Sequence, residues 1–148
     1  MIYGVSADIE MSSCTFYQVD KAIKADFSNL TMDQVNFSVI GGNAMSLDAS
    51  QLKANGLFIK DCDAKALNIE KWSSLDLNNS EISNTKLALS VKSGSSLNGK
   101  KIVFSANELD LELKSKDGYG ISKVSLSAIE NGEKLVVEED EESEIVIE

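Results

Sequence analysis

The sequence predicts an all-β chain wound as a right-handed parallel β-helix, about six coils of 21–24 residues each. Three observations predict it. Ala22, Ala44, Ala66 and Ala88 recur every 22 residues, and the next position is Ile23, Met45, Leu67, Leu89 and Leu111. Within each repeat apolar and polar residues alternate, as in Leu67-Asn68-Ile69-Glu70 and Leu89-Ser90-Val91-Lys92. A period of two is the signature of strand, not helix. Ser, Asn, Gly and Asp separate the alternating runs, and these are the residues of turns.

Taken in order, each repeat holds three short strands. The first carries the columns just named, with Ala25, Leu47, Ile69, Val91 and Leu113 two residues on. The second carries Leu30, Leu52, Leu75 and Leu97, with Met32, Ala54, Leu77 and Gly99 beside them. The third carries Phe37, Ile59, Ile82 and Phe104. Ile9, Met11, Cys14 and Phe16 fit the same frame at spacing 21, as an earlier coil. Towards the C-terminus the period stretches to 24, with Leu97 followed by Ile121 and Ile145, and Leu113 by Val137. Strands this short bury no face alone. If each repeat makes one coil, equivalent side chains stack about 4.8 Å apart around one apolar axis. A leucine-rich repeat needs a buried Asn frame, a pentapeptide solenoid a period of five, and a β-sandwich shows no fixed register.

The whole chain, 1–148, reads as a single domain with a turn insertion at 114–120 and an acidic loop at 138–142. The composition narrows the function. All 14 cationic residues are Lys against 24 acids, so the net charge of −10 opposes nucleic-acid binding. No His is present, which excludes imidazole catalysis and most zinc sites. Without Arg there is no bidentate grip on phosphate or carboxylate. No apolar run approaches the length of a membrane helix. The opening Met-Ile-Tyr-Gly has no signal-peptide character. It suggests a cytoplasmic start if Met1 is native, or a cell-surface or extracellular piece of a larger protein otherwise.

The runs Ala66-Leu67-Asn68-Ile69, Ser74-Leu75-Asp76-Leu77 and Ser80-Glu81-Ile82-Ser83-Asn84 carry a family resemblance. They recur as Ala88 to Val91, Ser96-Leu97 and Phe104. The pattern resembles right-handed parallel β-helix repeats of the pectate-lyase-like class. Within it, the chain is most similar to β-helix modules of bacterial surface and spore-coat-type proteins. The segment Lys114-Ser115-Lys116-Asp117-Gly118-Tyr119-Gly120 resembles a Lys-rich, Tyr-Gly insertion of such modules. The resemblance implies a fold more than a function, since one scaffold hosts many activities. Lyases and hydrolases of the class place Arg, Lys or His among clustered acids, and this chain offers only Lys.

The ends and the cysteines follow from the register. The run Glu138 to Glu142 near the last strand reads as a solvated loop that guards an edge. Met1-Ile2-Tyr3 reads as an incomplete coil without such a block. Cys14 falls in the column of Val35 and Leu57, and Cys62 in that of Ile40, Asn84 and Ala106. The two therefore lie too far apart for a disulfide. Asn84 is expected to point inward at a turn.

Two sets of outward residues are candidates for chemistry. Asp26, Asp48 and Glu70 stack at spacing 22, with Lys92 and Lys114 continuing the column. Stacked carboxylates repel one another unless a cation compensates. They could take Ca²⁺, a glycan, or less readily the acid pair of a glycosidase; the plainer expectation is a solvated face neutralised by lysines, with no cofactor. Trp72, Phe58 and Tyr119 are candidate aromatic contacts for a sugar or a partner protein.

The expectation is a non-catalytic β-helix scaffold or interaction module of a bacterial or phage surface protein. Its partner is a domain of the parent protein, another subunit or a glycan, and oligomers are allowed. The alternatives are a carbohydrate-active or carbohydrate-binding fragment, and a cytosolic self-assembling structural protein.

Overall fold

The computed structural model describes residues 1–131 and 135–148. They form a parallel β-solenoid of about six turns, with no helix. Its strands are β1 (Ile2–Val5), β2 (Asp8–Ser12), β3 (Thr15–Val19), β4 (Ile23–Asp26), β5 (Asn29–Ile40), β6 (Met45–Asp48) and β7 (Gln51–Glu70). There follow β8 (Ser74–Lys92), β9 (Ser96–Ser105), β10 (Leu109–Lys114), β11 (Lys123–Ser127), β12 (Glu130–Asn131), β13 (Val137–Glu139) and β14 (Glu144–Ile147). The long strands bend at corners, so each serves more than one face.

Three faces result, and each is a parallel ladder. The first stacks β1, β4, β6, the end of β7, the end of β8, β10 and β13. The second runs from β2 through β5, β7, β8, β9 and β11 to β14. The third runs from β3 through β5, β7, β8 and β9 to β12. The predicted columns are the observed registers: Ile23↔Met45↔Leu67↔Leu89↔Leu111 and Leu30↔Leu52↔Leu75↔Leu97 pair across neighbouring coils. Their side chains are buried at 0–2% exposure and fill one continuous core. Column sizes compensate. Met32, Ala54, Leu77 and Gly99 stack in turn, and a Cβ on Gly99 would lie 2.6 Å from Leu126 Cδ2.

The corners are made by residues of positive φ. After the first face these are Ser6, Phe27, Ala49, Lys71 and Ser93; after the second, Ser13, Gln34, Gly56, Asn79 and Lys101; after the third, Gln18, Val39, Asp61, Asn84 and Ala106. One left-handed residue turns the chain sharply at a cost of about 1–2 kcal/mol for a non-glycine. The stacked coils over-determine it, because corner amides donate to the next coil: Phe27 to Asp48 O at 3.0 Å, Ala49 to Glu70 O at 3.3 Å.

Three register expectations need correction. Leu97 is followed by Val124, not Ile121, and Leu111 rather than Leu113 pairs with Val137. The insertion at 114–120 is the reason: it lengthens this coil beyond 24 residues, and Ile121 is left exposed. Cys62 pairs with Ile40 and Thr85, not with Asn84. Asn84 is a corner residue facing out, and its amide donates to Asp61 Oδ1 at 2.5 Å. Cys14 and Cys62 are free, and Cys62 is buried with its thiol directed at Gly42 O, 3.0 Å away. Among the described residues no helix is long and apolar enough to cross a membrane.

Candidate functional site: the corner after the first face

The corner that ends the first face repeats a three-part motif. An outward acid or Lys is followed by the left-handed residue and then by an inward serine. It reads Asp26-Phe27-Ser28, Asp48-Ala49-Ser50, Glu70-Lys71-Trp72-Ser73 and Lys92-Ser93-Gly94-Ser95. The serines form a buried ladder: Ser28 N–H donates to Ser50 Oγ at 3.0 Å, Ser50 N–H to Ser73 Oγ at 3.0 Å, and Ser73 N–H to Ser95 Oγ at 3.2 Å. Each of these buried amides and hydroxyls thereby finds a partner. Ser28 and Ser50 return their hydroxyls to Asp26 O at 2.9 Å and Asp48 O at 2.8 Å. The inner ladder therefore fixes where the outer carboxylates stand.

Asp26, Asp48 and Glu70 do stack in register on successive coils. The charges of Asp48 and Asp26 are met locally. Asp48 pairs with Lys71 at 2.6 Å, and Asp26 accepts from the Tyr3 hydroxyl at 2.7 Å with Lys24 Nζ at 3.5 Å. The hydrogen bond to Asp26 pushes the Tyr3 phenol up from its ordinary pKa, and Asp48 raises that of Lys71. Asp26 Oδ1 is buried with no hydrogen-bond partner among the described residues. No group of three or more His, Cys or acidic side chains among those residues is placed to hold a metal.

Lys92 and Lys114 were expected to balance this ladder, but they serve a different acid. Glu112, nine-tenths buried on the first face, accepts from Lys92 at 2.8 Å, Lys114 at 2.9 Å and the Ser90 hydroxyl at 2.9 Å. Lys65 lies 3.9 Å away and donates to Asn68 at 2.9 Å. Burial opposes the Glu112 charge, but the hydrogen bonds from Lys114, Lys92 and Ser90 outweigh it and pull the carboxyl down to about 2. Burial and the neighbouring Lys92 lower the Lys65 pKa. Two lysines and a serine hydroxyl on one carboxylate make Glu112 an ion-pair anchor between neighbouring coils.

The aromatic candidates separate. Trp72 and Tyr119 come together, with ring centroids 4.9 Å apart and a 36° tilt, and Trp72 Nε1–H donates to Tyr119 O at 2.7 Å. The insertion folds back over the corner and uses Trp72 as its peg. Phe58 stands on the third face, 43% exposed, and belongs to neither. Sequence reasoning missed Phe27. It is 70% exposed at φ 53°, on the same corner as Trp72 and two coils away. The signal was there in the alignment of Asp26-Phe27-Ser28 with Asp48-Ala49-Ser50, as was the serine column at spacings of 22 and 23.

No family profile, curated protein or solved structure matches the chain. The class it belongs to is therefore given by its architecture, a parallel β-solenoid.

Proposed function

We propose that this chain is a non-catalytic β-solenoid scaffold and interaction module, of the kind carried by bacterial or phage surface proteins. Its contact edge is the corner after the first face. One observation carries the reading. Phe27 and Trp72 are bulky aromatics in left-handed backbone, at φ 53° and 61°, with 70% and 61% of their surface exposed. Neither the backbone nor water favours such residues there. A contact that buries them supplies the reason for their presence. The partner is another domain of the parent protein or another subunit.

A glycan is the second reading, favoured by the tilted Trp72–Tyr119 pair beside the Asp26, Asp48 and Glu70 carboxylates. Rings stack on sugar faces, and carboxylates accept from hydroxyls. A carbohydrate-active reading would need an acid free to exchange a proton, and the ion pairs of Glu112 and Asp48 weigh against it.

The test is Trp72 fluorescence titrated with neutral and acidic oligosaccharides, run beside affinity capture on Phe27→Asn. Asn tolerates the left-handed conformation, so this variant folds and loses only the ring. A protein partner retained by the parent chain and lost by Phe27→Asn supports the first reading. A saturable Trp72 shift with one sugar class supports the second. Neither response in either assay removes the corner as a contact edge.

A further inference from the structure

The chain's cations are all lysines, and those around the corner after the first face are already engaged. Lys24 Nζ lies over the Tyr3 ring, 5.3 Å from its centroid, and 3.5 Å from Asp26. Lys116 Nζ lies over the Tyr119 ring at 5.5 Å, and Lys71 is paired with Asp48 at 2.6 Å. The negative face of an aromatic ring attracts a cation in this way. The two most exposed rings of this edge have none. Among the described residues no ammonium stands over Phe27 or Trp72, at 70% and 61% exposure. Within the same residues Phe27 meets no other ring, and Trp72 meets Tyr119 alone.

The surroundings of these rings are acidic. Glu70 stands two residues before Trp72 and has no ion pair among the described residues. Lys92, next in its column, is held instead by Glu112 at 2.8 Å. Asp26 immediately precedes Phe27, and Asp8, in register with Asn29, is met by the amide of that residue at 2.8 Å. Asp8, Asp26, Asp48 and Glu70 therefore flank the corner against Lys24 and Lys71, while Lys116 and Asp117 of the insertion cancel. The edge is left with open ring faces and an excess of negative charge.

We infer that this edge receives arginine side chains of a different protein chain or domain. The inference rests on the reading of the corner as a protein contact, and it names the chemistry of the partner. Charge complementarity selects a cation. Ring faces beside carboxylates select guanidinium over ammonium. Guanidinium is planar and weakly hydrated, stacks on an aromatic face, and presents its N–H fork to a carboxylate at the same time. Phe27 and Trp72 stand two coil rises apart, about 9.6 Å. The corner residue between them is Ala49, so each ring keeps a face for a planar group. Glu70 is the carboxylate left to pair with the group on Trp72. A second copy of this chain cannot make this contact, because the sequence contains no arginine.

The experiment is a fluorescence titration of the full chain, whose single tryptophan is Trp72. The probe is a short Gly-Ser peptide bearing arginines, run beside counterparts in which Lys or Gln replaces each arginine. The expected result is a saturable change with the Arg peptide, a weaker one with Lys and none with Gln. The affinity should fall with added salt. Phe27→Asn and Glu70→Gln are each expected to weaken the Arg peptide roughly 3- to 30-fold. No response to the Arg peptide overturns the inference, as does an equal response to the Lys or Gln peptide. So does a response that both variants leave intact. The capture assay on Phe27→Asn separates the two readings. A protein partner lost with that ring, with no response to the Arg peptide, keeps the contact edge and removes the arginine. No response in either assay removes both.

Discussion

Trp72 Nε1–H donates to the main-chain oxygen of Tyr119 across 47 residues of sequence, and Gly94 makes room for the bond. A Cβ at Gly94 would lie 2.1 Å from Tyr119 O and 3.0 Å from Trp72 Cδ1. The corner after the first face holds one residue at Ala49, two at Lys71-Trp72 and at Ser93-Gly94, and the insertion after Lys114. Gly94 leaves the space that the insertion and Trp72 occupy.

Gly94→Ala is therefore expected to displace the insertion. Its cost is about 1–3 kcal/mol, from the blocked contact and from φ +72°. Gly118→Ala is the control, since its Cβ meets nothing within 4 Å and only the φ of +81° opposes it. Thermal melts and Trp72 emission check the pair. Gly94→Ala should red-shift the emission and Gly118→Ala should not; equal shifts would refute the peg.

Glu112 gives a pH prediction. Its folded pKa of about 2 lies below the ordinary 4.5, so ionisation favours the folded chain. That contribution is fully present above about pH 4.5 and is lost as pH falls towards 2. Glu112→Gln removes it and leaves Lys65, Lys92 and Lys114 facing one another. The expected loss is about 1–3 kcal/mol at neutral pH, reduced from the fully buried case because the lysines reach solvent. Salt should recover part of it. Denaturant midpoints at several pH values check this: the gap between parent and variant should narrow as the pH drops to 2.

The core column gives the firmest stability prediction. Leu89 is fully buried between Leu67 and Leu111. Leu89→Ala should cost about 2–5 kcal/mol by cavity formation. Leu89→Asp should prevent folding, because the interior offers its charge no partner. Urea titration and far-UV spectra read both. A Leu89→Asp chain that keeps its β spectrum would contradict the stacked core.

The inward columns were legible because stacking copies one side chain onto its equivalent at a fixed spacing. Leu30, Leu52, Leu75 and Leu97 had only one arrangement that buried them all. The outer surface was legible in register but not in pairing. Asp48 could be placed under Glu70 from spacing alone, yet its partner Lys71 sits on the corner, where φ 54° swings it beside the acid. Lys65 reaches Glu112 from two coils away, at 3.9 Å, a contact that the 22-residue columns do not predict. Ile121 misled because an insertion changes the count without changing the core. Asn84 misled because one left-handed residue reverses which side of the wall a side chain faces.

The acid ladder is decided by Asp48→Asn. In the parent chain Asp48 is flanked in register by Asp26 and Glu70 and is paired with Lys71. Removing its charge loses an exposed ion pair and two like-charge neighbours, so the stability change should be close to zero. Lys71→Gln does the opposite: it leaves three stacked carboxylates with less compensation, lowers Tm, and salt should recover the loss. Calcium separates a solvated ladder from a binding one. If Asp26 Oδ1 and its neighbours hold the ion, Tm rises with free calcium by mass action and returns with a chelator. The expected result is no calcium dependence in the parent chain, because Lys71 already occupies Asp48 at 2.6 Å. A gain of several degrees that Asp48→Asn abolishes would instead make the ladder a calcium site.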